Sequence, residues 1–468
     1  MSASQTITTS DLASRLGAEA GPPVISTDLP LTEAAPLPAP PAASHPAWVS
    51  EIVDRFRAGA YSREDGLLMI SVEADGTPRR RVPVIADFGD VLPFLEAFGA
   101  PEIVDEQLRL AEPHLWHGLY QRDGRVRVFL NHDWLLGLLD LARQREDDPE
   151  LLRRVRTASR ALRHHFHRGG FLIDEVPPRG WWARWFWPAS PFNGGMIELW
   201  TEEAERTGDA APLRWATELA EAWTGTATFT RHGVFEPRHA VRVPALQRGR
   251  RRLSTMRARL FKDNTNLVWG LLALAEATRD PRWTEAVERW LDGFTRTFYG
   301  AGLPFAFLDR RLVGYRPTLK AAFSSLDLLV GLHQAGVGQG RALDLAREIA
   351  DVWLGLRWPN GLFPAHPGAD RDHLDANVDM AVALVHLAAA DPDAAERYTE
   401  AAHRCRDAVL AHHAAPAGYV LAVDRDGQTM DGRVLVKYQT LLTKLALLPE
   451  DPARLGDDPG RLALLRDR

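Results

Sequence analysis

The hydrophobic pattern of this chain has a long period. Seven times a glycine precedes two or three mainly apolar residues: "DGLLM" at Gly66, "HGLYQ" at Gly118, "GGFLI" at Gly170, "HGVFE" at Gly233, "AGLPF" at Gly302, "NGLFP" at Gly361 and "AGYVL" at Gly418. The steps between these glycines are 52, 52, 63, 69, 59 and 57 residues, which marks an internal repeat. Each interval predicts an apolar helix, a short turn and an amphipathic helix. In "TNLVWGLLALAEATRD" the apolar residues run around most of the helix circumference, as burial on both sides requires. In "PRWTEAVERWLDGFTRTFY", Trp283, Val287, Trp290 and Phe294 alternate with charged residues, as on a helix exposed along one face.

Inner helix, turn, outer helix and extended connection, repeated, is the sequence form of an all-α fold, an α/α toroid. Six full hairpins run from "DFGDVLPFLEAFG" to an outer helix ending near His413, with short extended connections at the ring mouth. A lone outer-type helix, "AWVSEIVDRFRAGA", and a lone inner-type helix, "VKYQTLLTKLALL", remain at the ends. They either pair as a seventh hairpin or pack beside a ring of six.

The repeat order resembles that of the six-hairpin glycosidase superfamily, with related toroids in sugar epimerases, uronyl hydrolases and polysaccharide lyases. The resemblance covers roughly residues 47–450 and rests on no diagnostic motif. It implies a fold, and a carbohydrate-active function by analogy.

The chain has 468 residues, 45% hydrophobic and 25% charged, with a formal net charge of -6, an ordinary globular composition. Its single cysteine, Cys405, gives no disulfide framework or cysteine zinc site, and a reducing, cytoplasmic location is the simplest expectation. Residues 1–45, rich in Ala, Pro, Ser and Thr, lack the form of a secretory signal and read as a disordered tail. Residues 46–452 read as the toroid and 453–468 as a second tail. No apolar run reaches the ~18 residues of a membrane span, which leaves peripheral membrane contact open.

The resemblance places the catalytic pocket where the inner helices begin. Those starts read "NHDW", "PFNGGMIELW", "FKDNTN", "YRPTLK", "HLDANVD" and "VKYQT", all polar against an apolar helix. Helix capping accounts for Asp, Asn, Ser and Thr there, but a lysine is unfavourable at a helix N-terminus. The chain has only four lysines against 52 arginines, and Lys262, Lys320 and Lys437 fall at inner-helix starts. A compact point charge is thus expected to point into the pocket. Glycoside hydrolysis ordinarily uses two carboxyl groups, and the candidates are Asp133, Glu198, Asp263, Asp375 and Asp379. The expected catalytic pair is Asp263 with Asp375 or Asp379. The structural alternative is capping by Asp263 and Asp375 and a buried salt bridge at Asp379. Asp133, Asn193, Glu198, Lys262, Asn266, Lys320, Asn377, Lys437 and Tyr438 are expected to bind substrate.

"RGWWARWFWPASPFN" carries Trp181, Trp182, Trp185 and Trp187 just before an inner helix. Flat rings with N–H edges suit sugars, so Trp182 and Trp185 are expected to form a substrate platform, a packed loop and a membrane-surface patch being the alternatives. From Pro237 to Lys262 there are nine basic residues and no acidic one, which suggests an anionic or lipid-linked sugar or glycan. Nucleic acid is not expected, because no reading module accompanies the charge. No cofactor or metal is expected: H-E-x-x-H, Walker and G-x-S-x-G motifs are absent, and Asp370, Asp372 and Asp375 are a minor cation candidate. The leading expectation is a glycoside hydrolase with paired carboxylates, followed by an epimerase or lyase, and then by a non-catalytic glycan-binding or scaffold toroid.

Overall fold

The computed structural model describes residues 45–242, 258–309, 311–451 and 465, apart from the side chains of Trp182, Ala258 and Phe261. The expected tails and most of the basic stretch, at 243–257, lie outside these residues.

Helix α1 (Ala47–Arg57) precedes a first hairpin whose inner half is a 3-10 segment (Ile85–Asp90) followed by α2 (Leu92–Ala97), and whose outer half is α3 (Pro101–Ala111). The second hairpin pairs α4 (His132–Gln144) with α5 (Pro149–Ala161). A short helix, α6 (Gly180–Phe186), rides on the connection to the third, which pairs α7 (Gly195–Thr207) with α8 (Ala210–Thr224). After α9 (Ala227–His232) come α10 (Thr265–Thr278) with α11 (Pro281–Thr297), α12 (Leu319–Gln334) with α13 (Arg341–Leu356), and α14 (Leu374–Ala390) with α15 (Ala395–His412).

The two helix types differ as their patterns predict. Helix α14 is buried without interruption from Leu374 to Ala388, whereas α11 buries Trp283, Val287, Trp290 and Phe294 along one face. Outer helices α5, α8 and α11 start on Asp148, Asp209 and Asp280, whose carboxylates accept from backbone N–H groups of the first turn. Each inner helix packs on the next, from α2 through α4, α7, α10, α12 and α14. The last inner segment, α16 (Val436–Leu441) with its 3-10 continuation to Leu447, fits between α14 and the first hairpin, so seven inner segments close the ring. The chain ends are also joined as antiparallel strands, with Ser71 opposite Leu435 and Glu73 opposite Arg433.

The repeat glycines have a geometric cause. All seven have positive φ, and each of the first six turns the chain against the outer helix of its hairpin. At Gly233 (φ 71°) a Cβ would lie 2.2 Å from the Arg289 carbonyl oxygen, so no side chain fits.

The polar inner-helix starts do a different job from capping. Among the starts of α4, α7, α10, α14 and α16 no side chain caps the helix. Instead an amide reaches back to the connection. Asn131 Oδ1 accepts from the Tyr120 N–H at 2.6 Å, and its Nδ2 donates to the Tyr120 carbonyl at 3.1 Å. Asn377 grips Phe363 in the same way (2.7 and 3.1 Å), and Gln439 grips Tyr419 (2.8 and 3.0 Å). Asn264 accepts from the Phe235 N–H at 3.0 Å and Asn193 donates to the Leu172 carbonyl at 2.9 Å, each making half of the clamp. The gripped residues follow the repeat glycines by one or two positions, so glycine and amide together fix each extended connection over the ring mouth.

Candidate active site

All four lysines of the chain stand in this mouth or one turn below it. Lys437 donates to Asp87 Oδ1 at 2.9 Å and to Asp90 Oδ2 at 3.3 Å, joining the last inner segment to the first. Lys320 donates to Asp375 Oδ2 across α12 and α14. Lys444 donates to Asp379 Oδ1 at 3.2 Å, one turn deeper. Lys262 sits in the π-turn Leu260–Asn264 with φ 64°, a left-handed backbone that costs on the order of 1–3 kcal/mol for a residue with a Cβ. Its ammonium acts on Asp133 of α4.

The carboxylates of this cluster are pushed apart in acidity. Burial opposes the charge of Asp133, but Lys262, His132 (Nδ1 to Oδ1, 2.9 Å) and Lys437 more than offset it and hold the group well below the usual carboxylate range. Asp375 is likewise held ionised against its burial by Lys320, with Tyr438 and His373 beside it. Asp87 moves the other way: burial raises it, Lys437 opposes, and the charges of Asp90 and Asp133 add to the rise. Asp379 is raised by burial, against Lys444, and by Asp375. Burial and Asp375 together push the Tyr438 phenol well up.

One carboxylate oxygen from each of Asp87, Asp90 and Asp133 falls within 4.8 Å of the others, the acidic group with metal-ligand spacing among the described residues. The Lys437 ammonium already bonds two of the three, so a metal there would have to displace it. His132 offers substrate nothing further. Its Nε2 is buried against Gly195, where a Cβ would come within 2.3 Å of it.

The ring brings together Asp133, Lys262, Lys320, Asp375, Asp379, Lys437 and Tyr438, but not Asp263. That side chain is 1% exposed and receives two hydrogen bonds from Arg259, at 2.9 and 3.0 Å. Burial raises it to about 6, Arg259 and Arg238 opposing. Its acidic neighbour is Asp174, which burial also raises to about 6. Of the carboxyl groups expected to pair in catalysis, Asp263 is held by Arg259, Asp375 by Lys320 and Asp379 by Lys444. Asn377 uses both amide atoms on Phe363, and Asn193 uses its Nδ2 on the Leu172 carbonyl. Asn266 is buried, with no hydrogen-bond partner for Nδ2. Glu198, in the first turn of α7, is partly exposed and makes no ion pair among the described residues. Asp372 is fully buried and bonded by His413 (2.8 Å), Asn377 (3.1 Å) and the Val423 N–H (2.8 Å), which closes the cation candidate at 370–375. Trp185 is exposed on α6, and the Trp182 side chain lies outside the described residues.

Sequence reasoning missed Asp87, Asp90 and Lys444. The first two open "DFGDVLPFLEAFG", read as part of the first hairpin, but that start is not among the polar inner-helix starts taken to line the mouth. Lys444 lies inside an inner element, not at its start, and only the scarcity of lysine could have pointed to it.

No family model matches the sequence, and no curated protein matches it. Solved structures match in shape. An α-1,2-mannosidase from Trichoderma reesei superposes with a TM-score of 0.64 at 13% identity, over 86% of this chain and 93% of that one. A D-mannose isomerase gives 0.55 at 11% identity, over 86% and 99%. An unsaturated glucuronyl hydrolase from Bacillus sp. GL1, responsible for glycosaminoglycan degradation, gives 0.50 at 14% identity, over 80% and 97%. At such identities the likeness is one of fold: this chain has an α/α toroid like theirs.

Proposed function

We propose that the ring mouth is the active site of a carbohydrate-active enzyme, a glycoside hydrolase working through Asp87 and Asp133. The observation that carries this reading is their opposed acidity at short range. Two carboxyl groups within 4.8 Å, one held ionised by Lys262 and one raised by burial and its neighbours, make an acid and a nucleophile from the same residue type. A separation near 5 Å corresponds to double displacement with retention. Asp133 attacks the anomeric carbon while Asp87 gives its proton to the departing glycosidic oxygen. Water then attacks the glycosyl ester, and Asp87 takes a proton from it. Glu198, free of ion pairs among the described residues, accepts from sugar hydroxyls.

The substrate is read as a sugar or glycan. The basic stretch that suggested an anionic one lies largely outside the described residues.

A second reading, a sugar epimerase, draws on His373. Burial lowers its pKa, so it is a neutral base at pH 7 beside Lys320 and Asp375. Incubation with neutral oligosaccharides in H2¹⁸O and in D2O separates the two. Hydrolysis puts ¹⁸O on the anomeric carbon and is expected to fall about 10²–10⁴-fold in Asp87→Asn and at least as far in Asp133→Asn. Carbon-bound deuterium without cleavage, lost in His373→Gln, would establish the epimerase instead.

A further inference from the structure

Five large hydrophobic side chains are exposed among the described residues: Phe129, Trp181, Trp185, Val313 and Met430. All five lie on connections that lead into inner helices, and none on the hairpin turns at the other end of the ring. The hairpin topology brings every such connection to the mouth face. Trp181 and Trp185 are 68% and 62% exposed, and their spacing of four puts them on one side of α6. Around them the charge is positive. Arg179 and Arg184 are exposed on or beside the same helix, and Arg242 lies 5.8 Å from the Trp185 ring. None of these three arginines has a carboxylate partner among the described residues. The nearby carboxylates are already engaged: Glu175 by Arg127 at 3.3 Å, Asp174 by Arg238 at 3.2 Å and Glu236 by His239 at 2.6 Å.

We propose that the mouth face docks on an anionic lipid bilayer, with Trp181 and Trp185 entering the interface and Arg179, Arg184 and Arg242 meeting the headgroups. Tryptophan beside unpaired arginine matches a surface that is apolar inside and negative at its boundary. Apolar points spread around a rim fit a planar partner better than a thin ligand, which takes one groove. Docking in this way turns the mouth toward the membrane, where a glycan carried on a lipid would be presented to it. The surface is argued from exposure and charge alone, so it stands or falls apart from the chemistry proposed for the mouth.

The test is sedimentation of the full chain with phosphatidylcholine vesicles and with vesicles half phosphatidylglycerol. The protein is expected to partition onto the anionic vesicles at low salt and to come off as salt rises. Partitioning should fall at least about tenfold both in Trp181→Ser/Trp185→Ser and in Arg179→Glu/Arg184→Glu. Far-ultraviolet circular dichroism of each variant checks folding, and the two variants alter different chemistry. No partitioning onto anionic vesicles overturns the proposal. So does partitioning that the tryptophan variant leaves unchanged, which marks a simple polyanion site. Self-association in light scattering that the same variant abolishes overturns it in favour of a second copy of this chain.

Discussion

Glu203, on inner helix α7, is fully buried, and neither carboxylate oxygen makes a hydrogen bond of good geometry. Burial raises it to about 7 from an ordinary 4.5, with Ser159 and Arg156 offsetting part of the rise. The folded state therefore binds a proton that the unfolded chain releases at lower pH. Stability falls as pH climbs from about 4.5 to about 7, and the loss is complete above that. The shift is worth at most about 3 kcal/mol. Glu203→Gln should raise the unfolding free energy in urea by up to that amount at pH 8 and change it little at pH 4. An equal effect at both pH values would show that ionisation is not the cause. In the sequence this residue cannot be told from Glu202, whose carboxylate reaches Arg143 and Arg206. Which of two adjacent glutamates is enclosed depends on helix rotation in the ring, and the local pattern carries no such information. The same limit hid the difference between Asp263, gripped by Arg259, and Asp133, open to the mouth.

At the scale of elements the recurring unit is glycine, extended connection and amide clamp. Asn377→Ala removes two clamp bonds and leaves the buried N–H and carbonyl of Phe363 unpaired, so a loss of about 2–4 kcal/mol is expected in chemical denaturation. Asn377→Asp loses the donor and sets a second buried carboxyl group against Asp372, which Nδ2 bonds at 3.1 Å, so it should cost at least as much. A cost below about 1 kcal/mol in the alanine variant would rule out a structural role for the clamp. The hairpins themselves were legible, because burial writes a helical period and the glycine turns recur at nearly constant steps. The clamps were not. An asparagine at a helix start looks the same in sequence whether it caps its own helix or holds the strand that arrives there, and only the close approach of the connection decides.

For the molecule as a whole, one ammonium ties the last inner segment to the first. Lys437→Met leaves Asp87 and Asp90 without their shared partner and should cost about 3 kcal/mol at pH 7. Asp87 and Asp90 raise the Lys437 pKa against its burial, so its contribution holds up to the ordinary lysine value and is lost only above it. At the acid end the penalty should shrink as Asp87, raised by burial, takes up its proton. Thermal unfolding from pH 3 to beyond the ordinary lysine value of 10.5 checks both limbs, and a pH-independent penalty would point to lost packing instead. That lysine was scarce and gathered at helix starts was visible in the sequence. That the last inner segment would wedge against the first was not, since no local pattern links residues 350 apart. The wedge also sets the order of events in synthesis. The first inner segment leaves the ribosome with two aspartates whose counter-charge has yet to be translated, and the mouth has no final wall until Val436–Leu447 follow. A product terminated before Val436 stacks several hairpins and still has no pocket, so whatever chemistry the ring performs is withheld until Val436–Leu447 have been made.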